Sequence, residues 1–315
     1  MADGRAVSDK ENEMRIGVMV GGYGSRIPLA GYVEIARDLE SREIDTMWVP
    51  HVFGHDAINL ASLLGRETDR IELGTAVVPT YPRHPTALAQ QALTAGAACG
   101  GRFTLGIGLS HPSVIEQMLG LSYARRAKHM REYMAVLNPL LRGEPTKFEG
   151  EEYRVAMTVE VPDAQPVPIL IAALGDHMLA IAGREAAGTI LWTTGFGAIE
   201  RHIVPKLNGY AKEAGRPDPR IVAGMHIVLT SNADSANERM NKMLEQYQMM
   251  PSYRSMIEIE GSLAPSSFAI IGDEKSLDAG LGRLRNIGVT DFNANILDFE
   301  EGSRARTLDY LESRR

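Results

Sequence analysis

The chain has 315 residues, 44% of them hydrophobic and 23% charged, with a formal net charge of −7. A chain of this length can bury a large core without a disulfide or metal staple, and α/β barrels of this size occur as single units. The acidic balance and the lack of a long basic block argue against a general nucleic-acid or membrane-surface binder, and a single cysteine, Cys99, rules out an intrachain disulfide and suits a reducing cytoplasm.

Residues 1–14 are polar and lack the apolar segment of a signal peptide, so they read as a disordered tail. No apolar run reaches the roughly 20 residues of a membrane span. From there short β-branched runs alternate with longer amphipathic stretches, the rhythm of parallel strands joined by helical crossovers. Ile16–Val20 reads as a first strand, ended by Gly21 and Gly22, with a helix from Pro28 to about Arg42. Met47–Val49 is a second strand followed by a helix over 57–68, and Arg70–Val78 a third followed by a helix over 85–98. Cys99 at that helix's end reads as a buried small hydrophobe. Arg102–Leu109 is a fourth strand, and a long helix spans about 124–142.

The rhythm then breaks at a small hairpin, Phe148–Val155. Strands resume at Val167–Ala173, Gly188–Thr193, Ile221–Thr230 and Asp291–Leu297, with helices at about 176–186, 197–214, 232–248, 274–287 and 301–313. Eight strands with about as many helices favour a closed (β/α)8 barrel over an open sheet. Residues 15–315 are expected to form one domain, with insertion loops at about 143–166 and 249–268.

In such a barrel the chemistry lies just after the strands. Gly21, Gly22 and Gly24 make either a ligand-approach loop or a flexible turn. His51, just past strand two, can carry a proton near neutral pH. Arg83 and His84, in a proline-stiffened loop, either face an anion or are solvated, and the second fits better. Gly106 and Gly108 make room for a flat ring; they are not a dinucleotide fingerprint, because its third glycine is missing. His111 follows them. Ala173, Leu174 and Gly175 precede the helix opening at Asp176 and His177, where free backbone N–H groups suit a phosphate; Asp176 could equally be an N-cap and work against one. Trp192, with Thr193 and Thr194, walls a pocket or packs in the core. No metal site, nucleophile elbow or P-loop is evident.

Several stretches together resemble the luciferase-like monooxygenase superfamily, in particular its branch of oxidoreductases dependent on the deazaflavin coenzyme F420. They are GTAVVPTYPRHP (74–85), GGRFTLGIGLS (100–110), LSYARRAKHMREYMAVLNPLL (121–141), FEGEEYRV (148–155) and PVPILIAALGDHMLAIAGREAAGTILW (166–192). The resemblance covers most of the chain from about residue 15. It implies a barrel with the coenzyme's ring in the mouth, backed by a non-prolyl cis peptide at Ala76–Val77. It also implies a phosphate site at the Ala173–Gly175 backbone with Asp176 and His177 beside it, and a proton-handling histidine at His51. Where sugar-phosphate-oxidising relatives carry an acidic residue after strand four, this chain carries His111, a departure that puts such a substrate in doubt and makes His111 a second candidate for proton transfer. The 249–268 excursion falls where relatives carry a variable substrate-covering insertion, which brings Tyr253, Arg254 and Met256 forward as contacts. The implied function is hydride transfer between F420 and a small organic substrate by a cytoplasmic homodimer. FMN-dependent monooxygenation and a non-catalytic binding barrel are the alternatives.

Overall fold

The computed structural model describes residues 14–298 and 300–314. The tail expected at 1–14 lies outside the described residues except for Met14, which is buried.

Eight parallel strands close into a barrel: β1 (Arg15–Met19), β2 (Thr46–Val49), β3 (Glu72–Thr75), β4 (Phe103–Gly108), β5 (Ile169–Ile171), β6 (Gly188–Trp192), β7 (Arg220–Leu229) and β8 (Asp291–Ile296). Neighbours pair in chain order, and β8 closes onto β1 with Gly17 opposite Asn293. The strands read as near-continuous apolar runs because both faces are covered. In β7, Ile221, Ala223, Met225 and Ile227 join the cluster beneath the helices, while Val222 points into the barrel with Met19, Trp48, Leu170 and Ile190.

The two helices after β2 and β3 start where a side chain satisfies their first N–H groups. The Asp56 carboxylate accepts from Ile58 and Asn59 at the head of Ala57–Arg66. His84 accepts from Thr86 at the head of Pro85–Ala98, where Pro85 takes the first helical position. These two helices pack closely at Gly65, where an added methyl would lie 2.3 Å from the Cys99 sulfur. Cys99 is fully buried and burial pushes its thiol up to about 11, the inert small hydrophobe expected of it.

Two segments depart from expectation. The third strand stops at Thr75 and resumes as Val78–Pro79 beside β4, because Ala76 and Val77 buckle out of the ladder; their peptide bond is cis. The stretch 249–268 is not a loop. Pro251 opens a helix, Pro251–Glu260, stopped by Gly261 at φ +75°, and a short strand, Ala269–Gly272, then pairs with the upper half of β7. Four residues running straight into the next helix carry too short an apolar pattern to separate from it. The small hairpin forms at Thr146–Glu149 and Arg154–Met157.

The strands' N-terminal ends are plugged by charge. Arg15, Glu72, Arg220 and Asp291 are each the first residue of a strand, and each cation touches both anions. The separations are 2.6 Å for Arg15–Glu72, 3.4 Å for Arg15–Asp291, 3.0 Å for Arg220–Glu72 and 2.6 Å for Arg220–Asp291. Burial pushes the Glu72 carboxyl up, but Arg220 and Arg15 outweigh it and hold the group below its usual range. This end is closed and electrostatically satisfied, so ligand chemistry belongs at the other.

Candidate functional site

At the C-terminal mouth the floor is apolar. Ala76, Val77 and Trp192 are half-buried and pack onto the interior cluster around Trp48 and Leu170. The flanking glycines serve a different purpose from the one their sequence suggests. A methyl on Gly106 would meet the Thr75 carbonyl oxygen at 2.0 Å, and one on Gly108 would meet the Val77 side chain at 2.7 Å. The space they provide is thus taken by the protein's own buckle, which they allow to lie flat against β4; room for a ring comes only indirectly, through the floor that buckle makes. Thr75 fixes the arrangement by donating its hydroxyl to the Gly106 carbonyl and accepting from the Gly106 N–H, both at 2.9 Å.

His51 sits just past β2, with 15% of its side chain exposed. Its Nδ1 accepts from the Ala57 N–H at 3.2 Å, its Nε2 lies 3.4 Å from an Arg83 nitrogen, and Asp56 lies 3.9 Å from Nδ1. Both ring nitrogens therefore face donors, an arrangement that disfavours a second ring proton. Desolvation and then Arg83 push the histidine below its ordinary value, with Asp56 opposing them. Arg83 is not solvated as the sequence suggested. It pairs with Asp56 and reaches His51, while its own carbonyl accepts from the Tyr133 hydroxyl at 3.1 Å. His84 is exposed, as the favoured reading has it, and caps the helix that follows.

His111 follows β4 behind Ser110, whose φ of +61° is the left-handed conformation that non-glycine residues seldom adopt. Desolvation lowers its pKa too. Its ring lies 6.2 Å from that of Tyr253. Among the described residues no hydrogen bond or ring contact joins His111 to His51, so the two histidines are not a relay. Thr193, after β6, adopts φ +42°, a second left-handed residue at the mouth and a strained one for a β-branched side chain. Its neighbour Thr194 is buried.

The anion site expected after β5 takes a definite form. Ala173 is buried, Leu174 half-buried, and Gly175, Asp176 and His177 exposed. Gly175, not Asp176, is the N-cap of Asp176–Glu185, and no side chain caps it. The Asp176 carboxylate turns to the Lys206 ammonium, whose hydrogen bond is the chief cause of its lowered pKa. His202 lies 3.8 Å from the same carboxylate and bonds the Leu174 carbonyl at 2.8 Å. Lys206 and His202 come from the segment after β6 and escaped sequence reading, because they lie some 30 residues from the turn they serve.

Sequence reading named Trp192, Tyr253 and His111 but missed Tyr247 and His226 beside them. Trp192 donates its indole N–H to the Tyr247 hydroxyl, Tyr247 packs edge-on to Tyr253 at 4.7 Å, and Trp192 lies 5.2 Å from His226. Of the two readings of Trp192, the packing one is seen in its contact with the interior cluster, while its indole edge turns to Tyr247. Met256 is buried and Arg254 exposed, so of the three insertion residues singled out, Tyr253 alone reaches the other rings of the mouth. Two clefts, of about 440 and 350 Å³, lie on the outer flank around Leu141 and Pro166; no residue of the mouth lines either. No helix among the described residues is long and apolar enough to cross a membrane.

This geometry can hold a flat, partly apolar ring on the Ala76–Val77–Trp192 floor and an anionic group at the Gly175 helix start, with the neutral His51 beside them. Comparison with known proteins points the same way. A Mycobacterium tuberculosis protein that carries the provisional name coenzyme F420-dependent oxidoreductase is 27% identical over 256 residues, 75% of this chain and 73% of that one. The F420-dependent glucose-6-phosphate dehydrogenase of Kineococcus radiotolerans is 30% identical over 219 residues, 64% of each chain. In fold, the chain is similar to an F420-dependent secondary alcohol dehydrogenase solved with an F420-acetone adduct, with a TM-score of 0.81 at 15% identity over 96% of this chain and 98% of that one. The family model described as luciferase-like monooxygenase matches residues 14–290, and the chain belongs to that family.

Proposed function

We propose that this protein is an oxidoreductase that transfers a hydride between coenzyme F420 and a small organic substrate. The observation that carries the reading is the pairing of an apolar floor with an uncapped helix start flanked by Lys206 and His202. A deazaflavin with a phosphate-bearing tail needs both. The F420-dependence in the names of similar enzymes supports the same choice.

In this reading Ala76, Val77 and Trp192 carry the ring, with Gly106 and Gly108 permitting the floor to form. The backbone of Ala173, Leu174 and Gly175, continued by Asp176 and His177, binds the phosphate, and Thr193 and Thr194 line the approach. When bound, F420 supplies two-electron hydride chemistry, and the protein supplies position and electrostatics. His51 passes or orients a proton, held neutral between Ala57 and Arg83. His111 is the second candidate for proton transfer. The residues from 15 onward act as one barrel domain, and the active species is a homodimer.

Titration of the purified protein with F420 and, separately, FMN tests the reading, followed by coenzyme fluorescence and thermal unfolding. F420 is expected to bind and raise the melting temperature while FMN does neither. Binding of FMN alone would move the protein to oxygen chemistry. Binding of neither up to about 1 mM, a free energy of roughly 4 kcal/mol, would remove the enzymatic reading.

A further inference from the structure

Four rings form a continuous chain over the barrel mouth from β4 towards β7. His111 contacts Tyr253 at 6.2 Å, Tyr253 contacts Tyr247 at 4.7 Å, and Tyr247 accepts the indole hydrogen of Trp192. Trp192 in turn lies 5.2 Å from the ring of His226, which occupies the inward-facing side of β7 in step with Val222 and Gly224. The residues come from five places in the chain, including the insertion helix Pro251–Glu260, which supplies Tyr253.

The charges nearby are turned away from this wall. Glu260, at the end of the same helix, accepts from the Ala198 N–H at 2.8 Å. Arg201 donates to the Ile259 and Glu260 carbonyls, and Arg239 to the Asp298 carbonyl at 3.0 Å. Burial lowers the pKa of His111 and brings that of His226 down to about 4, while it raises those of Tyr247 and Tyr253. All four are uncharged at neutral pH. One polar group is left over: His226 is 1% exposed, and its Nδ1 has no hydrogen-bond partner among the described residues. A buried nitrogen without a partner is costly unless something bonds to it.

We infer that this ring chain is the substrate wall, that it selects a compact, uncharged and largely apolar alcohol or carbonyl compound, and that Tyr253 is its specificity-determining residue. The inference rests on the proposed function and deepens it. A wall of uncharged rings, with Arg201 and Arg239 engaged elsewhere and Arg254 exposed on the insertion helix, gains contact area from an apolar substrate and has little to replace a phosphate's lost water. The wall thus fits the sequence departure at His111, and it separates this chain from relatives named for a sugar phosphate.

The test uses two probes with rings of similar size: cyclohexanol, uncharged, and glucose 6-phosphate, charged. Each is titrated into the protein with and without F420, reading melting temperature and tryptophan emission, in which a ligand-dependent change is assigned to Trp192 by its loss in Trp192→Phe, since Trp48 also emits. Cyclohexanol is expected to saturate both signals and glucose 6-phosphate to move neither. Tyr253→Ala should weaken cyclohexanol about tenfold, while Tyr253→Phe, which keeps the ring, should stay within about threefold. Tyr253→Leu serves as a second variant should the alanine protein fold poorly. A preference for glucose 6-phosphate, or unchanged cyclohexanol affinity in both the alanine and leucine variants, overturns the inference. F420 affinity measured on the same samples separates the two levels. If F420 binds and cyclohexanol does not, only the substrate wall fails; if F420 does not bind the parent protein, both readings fall.

Discussion

The two ends of the barrel solve the problem of buried polarity in opposite ways. At the closed end, Arg15, Glu72, Arg220 and Asp291 keep their charges and satisfy one another. At the mouth, the histidines shed their charge: His51, His111 and His226 are all pushed below the ordinary value, with desolvation the leading cause. A neutral imidazole can accept a proton when a substrate presents one, whereas a salt-bridged carboxylate cannot exchange its role without losing its partner. The closed end stabilises the fold, and the mouth is left chemically available.

The sharpest way to break this contrast is to unbalance the closed end. Arg220→Met leaves Glu72 and Asp291 with one cation between them. Removing one member of a buried ion network costs about 3–5 kcal/mol, and the partial exposure of the Arg220 side chain places the expected loss at the low end. Urea unfolding should show that loss, while F420 affinity per folded molecule stays unchanged. A large drop in affinity without a loss of stability would mean that the two ends are coupled and the division of labour is wrong.

Acid probes the other end. His226 in β7 and His129, which lies in the helix Arg126–Leu141 with its Nε2 2.9 Å from the Thr80 hydroxyl, are both nearly fully buried, with pKa values brought down to about 4 by burial. Well above the ordinary histidine value of about 6.5 neither the folded nor the unfolded chain protonates them. As the pH falls from there towards 4, the unfolded chain takes up protons that the folded chain refuses, so stability declines. The loss reaches about 2 kcal/mol for each histidine by pH 5. The ionised Glu72 resists until lower pH, because its folded pKa lies below the usual carboxylate value. Urea midpoints at pH 7.5 and 5 should therefore differ clearly, and a flat profile between them would show that these histidines titrate normally.

A third perturbation separates two glycines of the mouth. Gly106→Ala forces a methyl into the Thr75 carbonyl, so the buckle carrying Ala76 and Val77 must shift; overpacking of this kind costs about 1–3 kcal/mol. Coenzyme affinity should fall with stability. Gly175→Ala has open space around the new methyl and a φ of −88°, and both properties should hardly change. Equal effects at the two positions would mean that the buckle is not what Gly106 protects.

How much of this was legible beforehand depends on range. The eight strands and most helices follow from local patterns, because parallel strands buried on both faces are apolar throughout and the crossover helices are amphipathic. The positions of His51, Gly106 and Gly175 follow from the rule that barrel sites lie at strand ends. What they do there does not follow, since Gly106 answers to Thr75 and His51 to Arg83, each some 31 or 32 residues away. The closed-end network joins Glu72 to Arg220, 148 positions away, and Arg15 near one end of the chain to Asp291 near the other. A signal for it existed all the same, since Arg15, Glu72, Arg220 and Asp291 each stand immediately before an apolar run, with opposite signs available to pair. Of the ring chain, His111, Tyr253 and Trp192 stood out in the sequence, but Tyr247 and His226 left no such trace, because Tyr247 sits in a polar helix and His226 inside an apolar strand, and both acquire meaning only where the insertion meets the mouth.

The smallest expected effect concerns the anion site and tests whether Asp176 helps or competes. Lys206 currently spends its charge on Asp176, and both side chains are more than a third exposed, so their pairing contributes less than about 1 kcal/mol to stability. Lys206→Ala should leave unfolding nearly untouched yet weaken F420 about tenfold, an effect that shrinks as salt screens the site. If Asp176 only competes, Asp176→Asn frees Lys206 and removes a negative charge from a helix start, and affinity should rise by about two- to fivefold. If instead the carboxylate holds Lys206 in place, the asparagine variant should weaken binding in the same direction as the lysine variant. Opposite signs for the two substitutions locate the phosphate at the Gly175 helix start; no change in either removes it from there and leaves the floor alone to hold the coenzyme.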